Sequence, residues 1–210
     1  MRALLLSLAL IASLPLAHAD NFYMEGAQYQ AIEPPAPTNA APGKVEVVEL
    51  FWYGCPHCFH FEPTLSKWLA SKPANVDFKR VPAVLNPGWV THARAYYVAE
   101  QLGVLDKIHE PLFEAIHLKN QRLNTEDELA AFFAAHGVPE DEFRAAFNSF
   151  EVHMQLRQAA QLGKAYQATG VPAIVVNGKY LVSSSMAGGY PEMIAVVEHL
   201  VAQEASAAKP

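Results

Sequence analysis

A near-continuous hydrophobic run extends from Lys44 to Trp52, where Val45, Val47 and Val48 lead into Leu50, Phe51 and Trp52. A near-continuous run of this length, rich in β-branched residues, predicts a central strand buried on both faces. Val76-Asp77-Phe78-Lys79-Arg80-Val81 predicts a second buried strand, and Gln28 to Ile32 a short first one. Glu33 to Gly43 is rich in Pro and Ala and reads as a connecting loop. Pro56 to Ser71 has helical character, with Pro at the first helical position, where its missing N–H costs nothing. Pro63 is expected to kink that helix by removing the bond to the Phe59 carbonyl.

From Thr91 to Thr169 the pattern is helical throughout, with Gly103, Gly137 and Gly170 where helix ends are expected. Thr125-Glu126-Asp127-Glu128 has the spacing of a capping box ahead of Leu129 and Phe132. Strand character returns in Ala173 to Val176 and Lys179 to Val182. The intervening Asn177-Gly178 pair is a strong hairpin signal. A last helix is expected from Pro191 to Glu204, with Met193, Ile194, Val197 and Val201 on one face. The order strand, helix, strand, helical block, hairpin, helix predicts an α/β domain interrupted by a helical insertion.

Composition narrows the class. Hydrophobic residues make up 51% of 210, which suits a folded globular chain with a sizeable core. The net charge of −6 is spread out, and the lack of a Lys/Arg cluster sets nucleic-acid binding aside. Arg2, an apolar core from Ala3 to Leu16 and the small residues of Ala17-His18-Ala19 predict a secretory signal over 1–19, cleaved before Asp20. The apolar run is shorter than the ~20 residues of a membrane span. The mature chain is therefore expected to be exported and soluble.

Export changes how the two cysteines, Cys55 and Cys58, are read. Stabilising disulfides of exported proteins join distant segments, whereas a bridge across so small a loop constrains the unfolded chain little. Cys55-Pro56-His57-Cys58 follows the carboxyl end of a predicted strand and opens a predicted helix, where open α/β sheets place active sites. Cys55 then stands at the helix amino end, where unpaired N–H groups and the macrodipole favour a thiolate. Cys58, one turn on, is expected to be less exposed and to resolve a mixed disulfide by attacking Cys55. His57 is expected to donate a hydrogen bond, and a charge when protonated, to the Cys55 thiolate. Whatever stabilises that thiolate makes the disulfide the better oxidant. A zinc site would need further ligands beyond His57 and His60 at finger spacing, and there are none. Covalent haem attachment needs His after the second cysteine, where Phe59 stands.

Glu49 is the oddity of the predicted central strand, sharing a face with Val45, Val47 and Phe51. Burying an isolated carboxylate is costly and raises its pKa. Either a strand end or solvent gap keeps it wet, or it is a buried acid beneath the site that passes protons to and from Cys58. Arg80 is the candidate counter-charge, sharing a face with Phe78, and Lys79 is its rival. Gly170-Val171-Pro172-Ala173 enters the hairpin and, taken alone, is an ordinary strand-start proline.

Together these residues resemble the DsbA family of periplasmic thiol–disulfide oxidases. The resemblance rests on Cys55-Pro56-His57-Cys58, Glu49 on the preceding strand, Gly170-Val171-Pro172 and Val176-Asn177-Gly178-Lys179-Tyr180, and it extends over the whole mature chain. It implies a thioredoxin fold, over 20–87 and 159–210, with an all-helical insertion at 88–158. A cis bond before Pro172 is implied too, with the Val171 backbone pairing to an extended substrate beside Cys55. The resemblance further implies a monomer that oxidises reduced or unfolded exported proteins, has no cofactor beyond its own cysteine pair, and is reoxidised by a DsbB-like, quinone-linked membrane protein. Phe59 stands where many relatives carry Tyr, and Trp52-Tyr53-Gly54 makes a distinctive approach to Cys55. The competing readings are a reductase or isomerase on the same fold and, in a different class, a chaperone-like or metal-binding module.

Overall fold

A computed structural model describes residues 23–207; the expected signal at 1–19 lies outside the described residues. Five strands form one sheet in the order β1-β5-β4-β2-β3. The central strand β2 (Val45–Phe51) is buried at all seven positions, Glu46 and Glu49 included, in keeping with its near-continuous hydrophobic run. It pairs in parallel with β3 (Val76–Pro82) and antiparallel with β4 (Ala173–Val176). β5 (Tyr180–Ser183) continues the sheet, and the two-residue β1 (Gln30–Ala31) closes that edge. In the turn between β4 and β5, Asn177 and Gly178 both adopt positive φ, 51° and 65°. A Cβ on Gly178 would collide with the Ala36 carbonyl, because the 33–43 loop is strapped over the hairpin. Ala36 N–H donates to the Gly178 carbonyl at 2.8 Å.

Helices cover both faces. α1 (Pro56–Ser71) and α8 (Tyr190–Ala207) pack Phe61, Leu65, Trp68, Met193 and Val197 onto Val45, Val47, Ile174 and Val176. The opposite face, with Val48, Leu50 and Val175, lies under the helical block. That block comprises α2 (Val90–Gln101), α3 (Leu105–His117), α4 (Glu126–Ala135), α5 (Glu140–Phe147) and α6 (Phe150–Ala165). The short α7 (Ser184–Ala187) links β5 to α8. No helix among the described residues is long and apolar enough to cross a membrane.

The capping box at the start of α4 forms with both of its bonds, and α1 runs as one helix through Pro63. Two expectations need amending. β3 is an edge strand, so Asp77, Phe78, Lys79 and Arg80 are only half-buried; its one neighbour is β2, and its charges guard the open edge. Gly170 does not end a helix: α6 stops at Ala165, and the chain turns left-handed at Gln167, with φ 54°. Gly103 and Gly137 do follow helices, at φ 66° and 88°.

Candidate active site

Two segments far apart in sequence meet at the carboxyl end of β2. The chain leaves the strand through a turn in which Cys55 N–H donates to the Trp52 carbonyl at 2.9 Å, and Cys55 becomes the N-cap of α1. Pro56 follows at the first helical position, exposed. No side chain caps the helix, which leaves its first N–H groups for the sulfur. The Cys55 sulfur also lies 3.5 Å from the Val171 carbonyl, to which its thiol form donates. The Val171–Pro172 peptide is cis, and Pro172 is buried at the entry to β4.

The two sulfurs are chemically unlike. The Cys55 pKa falls from 9.0 to about 6. The hydrogen bond from the Cys58 thiol is the largest cause, opposed by burial and reinforced by the backbone N–H groups of Cys58 and His57. The His57 charge contributes least of these. Its imidazole is exposed, with Nδ1 3.4 Å from the Tyr190 hydroxyl at the start of α8. Cys58 is fully buried, and burial followed by its bond to Cys55 pushes its pKa far up. A thiolate on Cys55 and a proton on Cys58 are thus the favoured state of the free dithiol.

Behind the cysteines lies a buried ionic cluster. Glu49 is 0% exposed and stands in register with Arg80 on β3. Arg80 Nε donates to Glu49 Oε2 at 2.9 Å, and Nη2 donates to Glu62 Oε2 of α1 at 3.1 Å. The rival cation, Lys79, pairs with Glu46 instead. Glu49 is therefore buried rather than wet, and its Oε1 has no hydrogen-bond partner. One guanidinium between two carboxylates cannot neutralise both, and the more deeply buried acid takes the proton. Burial first, then the charge of Glu62, pushes Glu49 up from 4.5 to about 8, against the pull of Arg80. Burial also works against the Glu62 charge, but the hydrogen bond from His109 and the charge of Arg80 outweigh it and hold Glu62 below its usual value. The charge of Glu49 in turn adds to the raised pKa of Cys58.

Aromatic rings wall the approach. Trp52 stacks on Trp89 with ring centres 4.7 Å apart, and it lies so close over Gly54 that a Cβ there would enter the indole. Phe59 stacks on His117 at 5.0 Å, and His117 Nε2–H donates to the Tyr53 carbonyl at 2.7 Å. Sequence reasoning missed Glu62, His109, His117 and Tyr190. Only Glu62 carried a local signal, one turn beyond Cys58 on the predicted helix. Among the described residues no group of three or more His, Cys, Asp or Glu converges as a metal site would.

Comparison with known proteins gives this arrangement a family. A DSBA-like thioredoxin domain model matches residues 75–200. The thiol:disulfide interchange protein DsbA of Pseudomonas aeruginosa is 42% identical over 211 residues, spanning 100% of both chains. The DsbA of Azotobacter vinelandii is 44% identical over 182 residues, covering 87% of this chain and 85% of its own. Among solved structures, P. aeruginosa DsbA superposes with TM-score 0.85 at 43% identity, covering 90% of this chain and 97% of that one. The oxidoreductase DsbA of Xylella fastidiosa gives 0.81 at 38% identity, covering 88% and 98%. The chain belongs to the DsbA family, as a thiol:disulfide oxidoreductase of thioredoxin fold whose redox group is the Cys55–Cys58 pair.

Proposed function

We propose that the protein donates its Cys55–Cys58 disulfide to reduced, newly exported polypeptides in the periplasm, acting as a monomer. A DsbB-like, quinone-linked membrane protein then reoxidises it. The observation that carries this direction of transfer is the split between the sulfurs. Cys55, at the helix amino end, has a pKa of about 6, whereas the buried Cys58 holds its proton. A stable Cys55 thiolate favours the reduced enzyme and is a good leaving group.

In the first step a substrate thiolate attacks Cys55, the Cys55–Cys58 bond breaks, and its electron pair goes to the Cys58 sulfur. Glu49, protonated below about pH 8, supplies the proton that Cys58 then takes. In the second step another substrate thiolate attacks the substrate sulfur of the mixed disulfide, and Cys55 leaves as thiolate. On reoxidation the proton returns from Cys58 to Glu49 as Cys58 attacks. Pro56 starts the helix and His57 lends charge to the thiolate. The Val171 carbonyl, 3.5 Å from the Cys55 sulfur, supports the pairing of an extended substrate strand along Val171 and Pro172. In this reading 20–87 and 159–210 form the catalytic domain and 88–158 the helical insertion.

A reductase or isomerase on the same fold is the rival within the class. Incubation with a reduced unfolded protein and with a scrambled one separates them. The proposal expects fast net oxidation of the first and little repair of the second. A stable dimer that repairs the scrambled protein better than it oxidises the reduced one would overturn it. A chaperone-like or metal-binding role would leave cellular activity intact in Cys55→Ser, whereas the proposal expects none to remain.

A further inference from the structure

His109, on α3 of the helical block, touches Glu62, the less buried of the two acids. Its Nε2 lies 3.4 Å from Glu62 Oε1, and its Nδ1 lies 2.8 Å from the Tyr53 hydroxyl. The two contacts define one tautomer. With Glu62 ionised, Nε2–H donates to the carboxylate, leaving Nδ1 to accept from the Tyr53 O–H. The ring is held on its other sides by Phe51, Tyr96 and Phe113, at centroid distances of 5.3, 6.1 and 5.3 Å. From His109 the polar contacts run unbroken through Glu62 and Arg80 to Glu49. A pocket of about 630 Å³, lined in part by Glu62, Arg80 and His109, opens on this end of the cluster, while Glu49 is closed off.

We propose that His109 is a positioning residue for disulfide exchange: its hydrogen bond to Glu62 keeps the proton shared by the two buried acids on Glu49, next to Cys58, rather than on Glu62. The inference rests on Glu49 being the proton donor to Cys58. Glu49 and Glu62 compete for one guanidinium, so whichever acid has further donors stays ionised and leaves the proton to the other. Glu62 has His109; Glu49 has a bare Oε1. Burial depresses the pKa of His109, so at neutral pH it acts as an N–H donor rather than as a cation. The groups facing Glu49 are Arg80, Glu62 and Cys58, with the phenols of Tyr53 and Tyr96 within electrostatic reach. Those facing His109 are Glu62, Tyr53, Arg80 and Glu110.

Take away the donor and Glu62 gains proton affinity at the expense of Glu49. The breaking Cys55–Cys58 bond then delivers its electron pair to a Cys58 sulfur beside an ionised carboxylate, with no proton at hand. For His109→Leu the oxidation of a reduced peptide should slow by about twofold at neutral pH and by about tenfold above pH 8, where the proton on Glu49 becomes scarce; tenfold is the scale of one hydrogen bond to a charged group. The alkaline limb of its pH–rate profile should move down by about one pH unit. His109→Gln, which keeps an N–H donor, should restore both. Glu62→Gln should move the limb the same way, and adding His109→Leu to it should change nothing more, because His109 acts through Glu62. The infrared carbonyl band of protonated Glu49, assigned as the band lost in Glu49→Gln, should weaken in His109→Leu at neutral pH.

If Glu49→Gln abolishes the limb while His109→Leu leaves both the limb and the band in place, the inference is wrong and the Glu49 relay stands. If Glu49→Gln leaves the limb unchanged, the relay itself fails and takes the inference with it. Should His109→Leu not fold, Glu62→Gln and His109→Gln carry the test, and an unmoved limb in Glu62→Gln overturns the proposal.

Discussion

Replacing Glu49 by Gln should stabilise the protein while impairing its chemistry. In the fold the carboxyl titrates at about 8 against an ordinary 4.5, so between those values the folded state keeps a proton that the unfolded chain has released. Stability then falls by ~1.4 kcal/mol for each pH unit climbed through that window. From 4.5 to neutrality the loss reaches about 3 kcal/mol. Gln, uncharged at every pH, is spared it. The variant and the parent should therefore be nearly equal in stability near the lower value. The gap should widen as pH rises and level off above about 8, where the folded carboxyl has also ionised. Urea unfolding of the oxidised forms, in which no thiol titrates, reads this directly. With an m-value of ~2 kcal/mol/M, the midpoint of the variant should lie ~1–2 M above that of the parent at neutral pH. A gap that does not change with pH, or a variant less stable than the parent at pH 7, would refute the placement of an uncompensated acid at this position. The same variant should exchange disulfides more slowly, because Cys58 loses its proton donor.

Three other changes probe separate parts of the structure. Alkylation of Cys55 in the reduced protein should accelerate through about pH 6. His57→Ala should move that midpoint up by less than about one unit, since an exposed charge is worth little; an unmoved midpoint removes His57 from the site. Gly54→Ala drives a methyl group into the Trp52 indole. It should cost ~1–3 kcal/mol and alter the near-ultraviolet circular dichroism of the Trp52–Trp89 stack, and an unchanged spectrum would count against the close approach. Thr125→Ala removes one arm of the α4 capping box, the hydroxyl that accepts from Glu128 N–H, and leaves the backbone N–H of residue 125 donating to the Glu128 carboxylate. The expected loss is ~1 kcal/mol of stability by urea unfolding with no change in exchange rate, and a slower rate would show that α4 matters to the chemistry.

What could be read from the sequence was what local chemistry decides. Seven consecutive buried positions in β2, Pro56 at the start of α1, the Thr125–Glu128 box and the Asn177-Gly178 turn all announce themselves within a few residues. The status of β3 did not, because an edge strand and an inner one differ in what lies beside them rather than in their own residues. Glu49 could be singled out, but its partner depended on register: Arg80 stands opposite it, while Lys79 stands opposite Val48 and reaches Glu46. His109, His117 and Tyr190 stayed hidden for the same reason. Their contacts with Glu62, Tyr53 and His57 span 47, 64 and 133 residues, and no periodicity encodes a meeting at that range. The helical block thus contributes to the site through contacts that only the folded chain creates.

The direction of electron flow is the central claim, and equilibration of the Cys55–Cys58 pair with defined glutathione mixtures tests it most directly. The split between a stabilised Cys55 thiolate and a protonated, buried Cys58 predicts a pair far more oxidising than thioredoxin, whose potential is about −270 mV, so that glutathione reduces it readily. A pair that remains a disulfide in mixtures reducing enough to match thioredoxin would contradict the account.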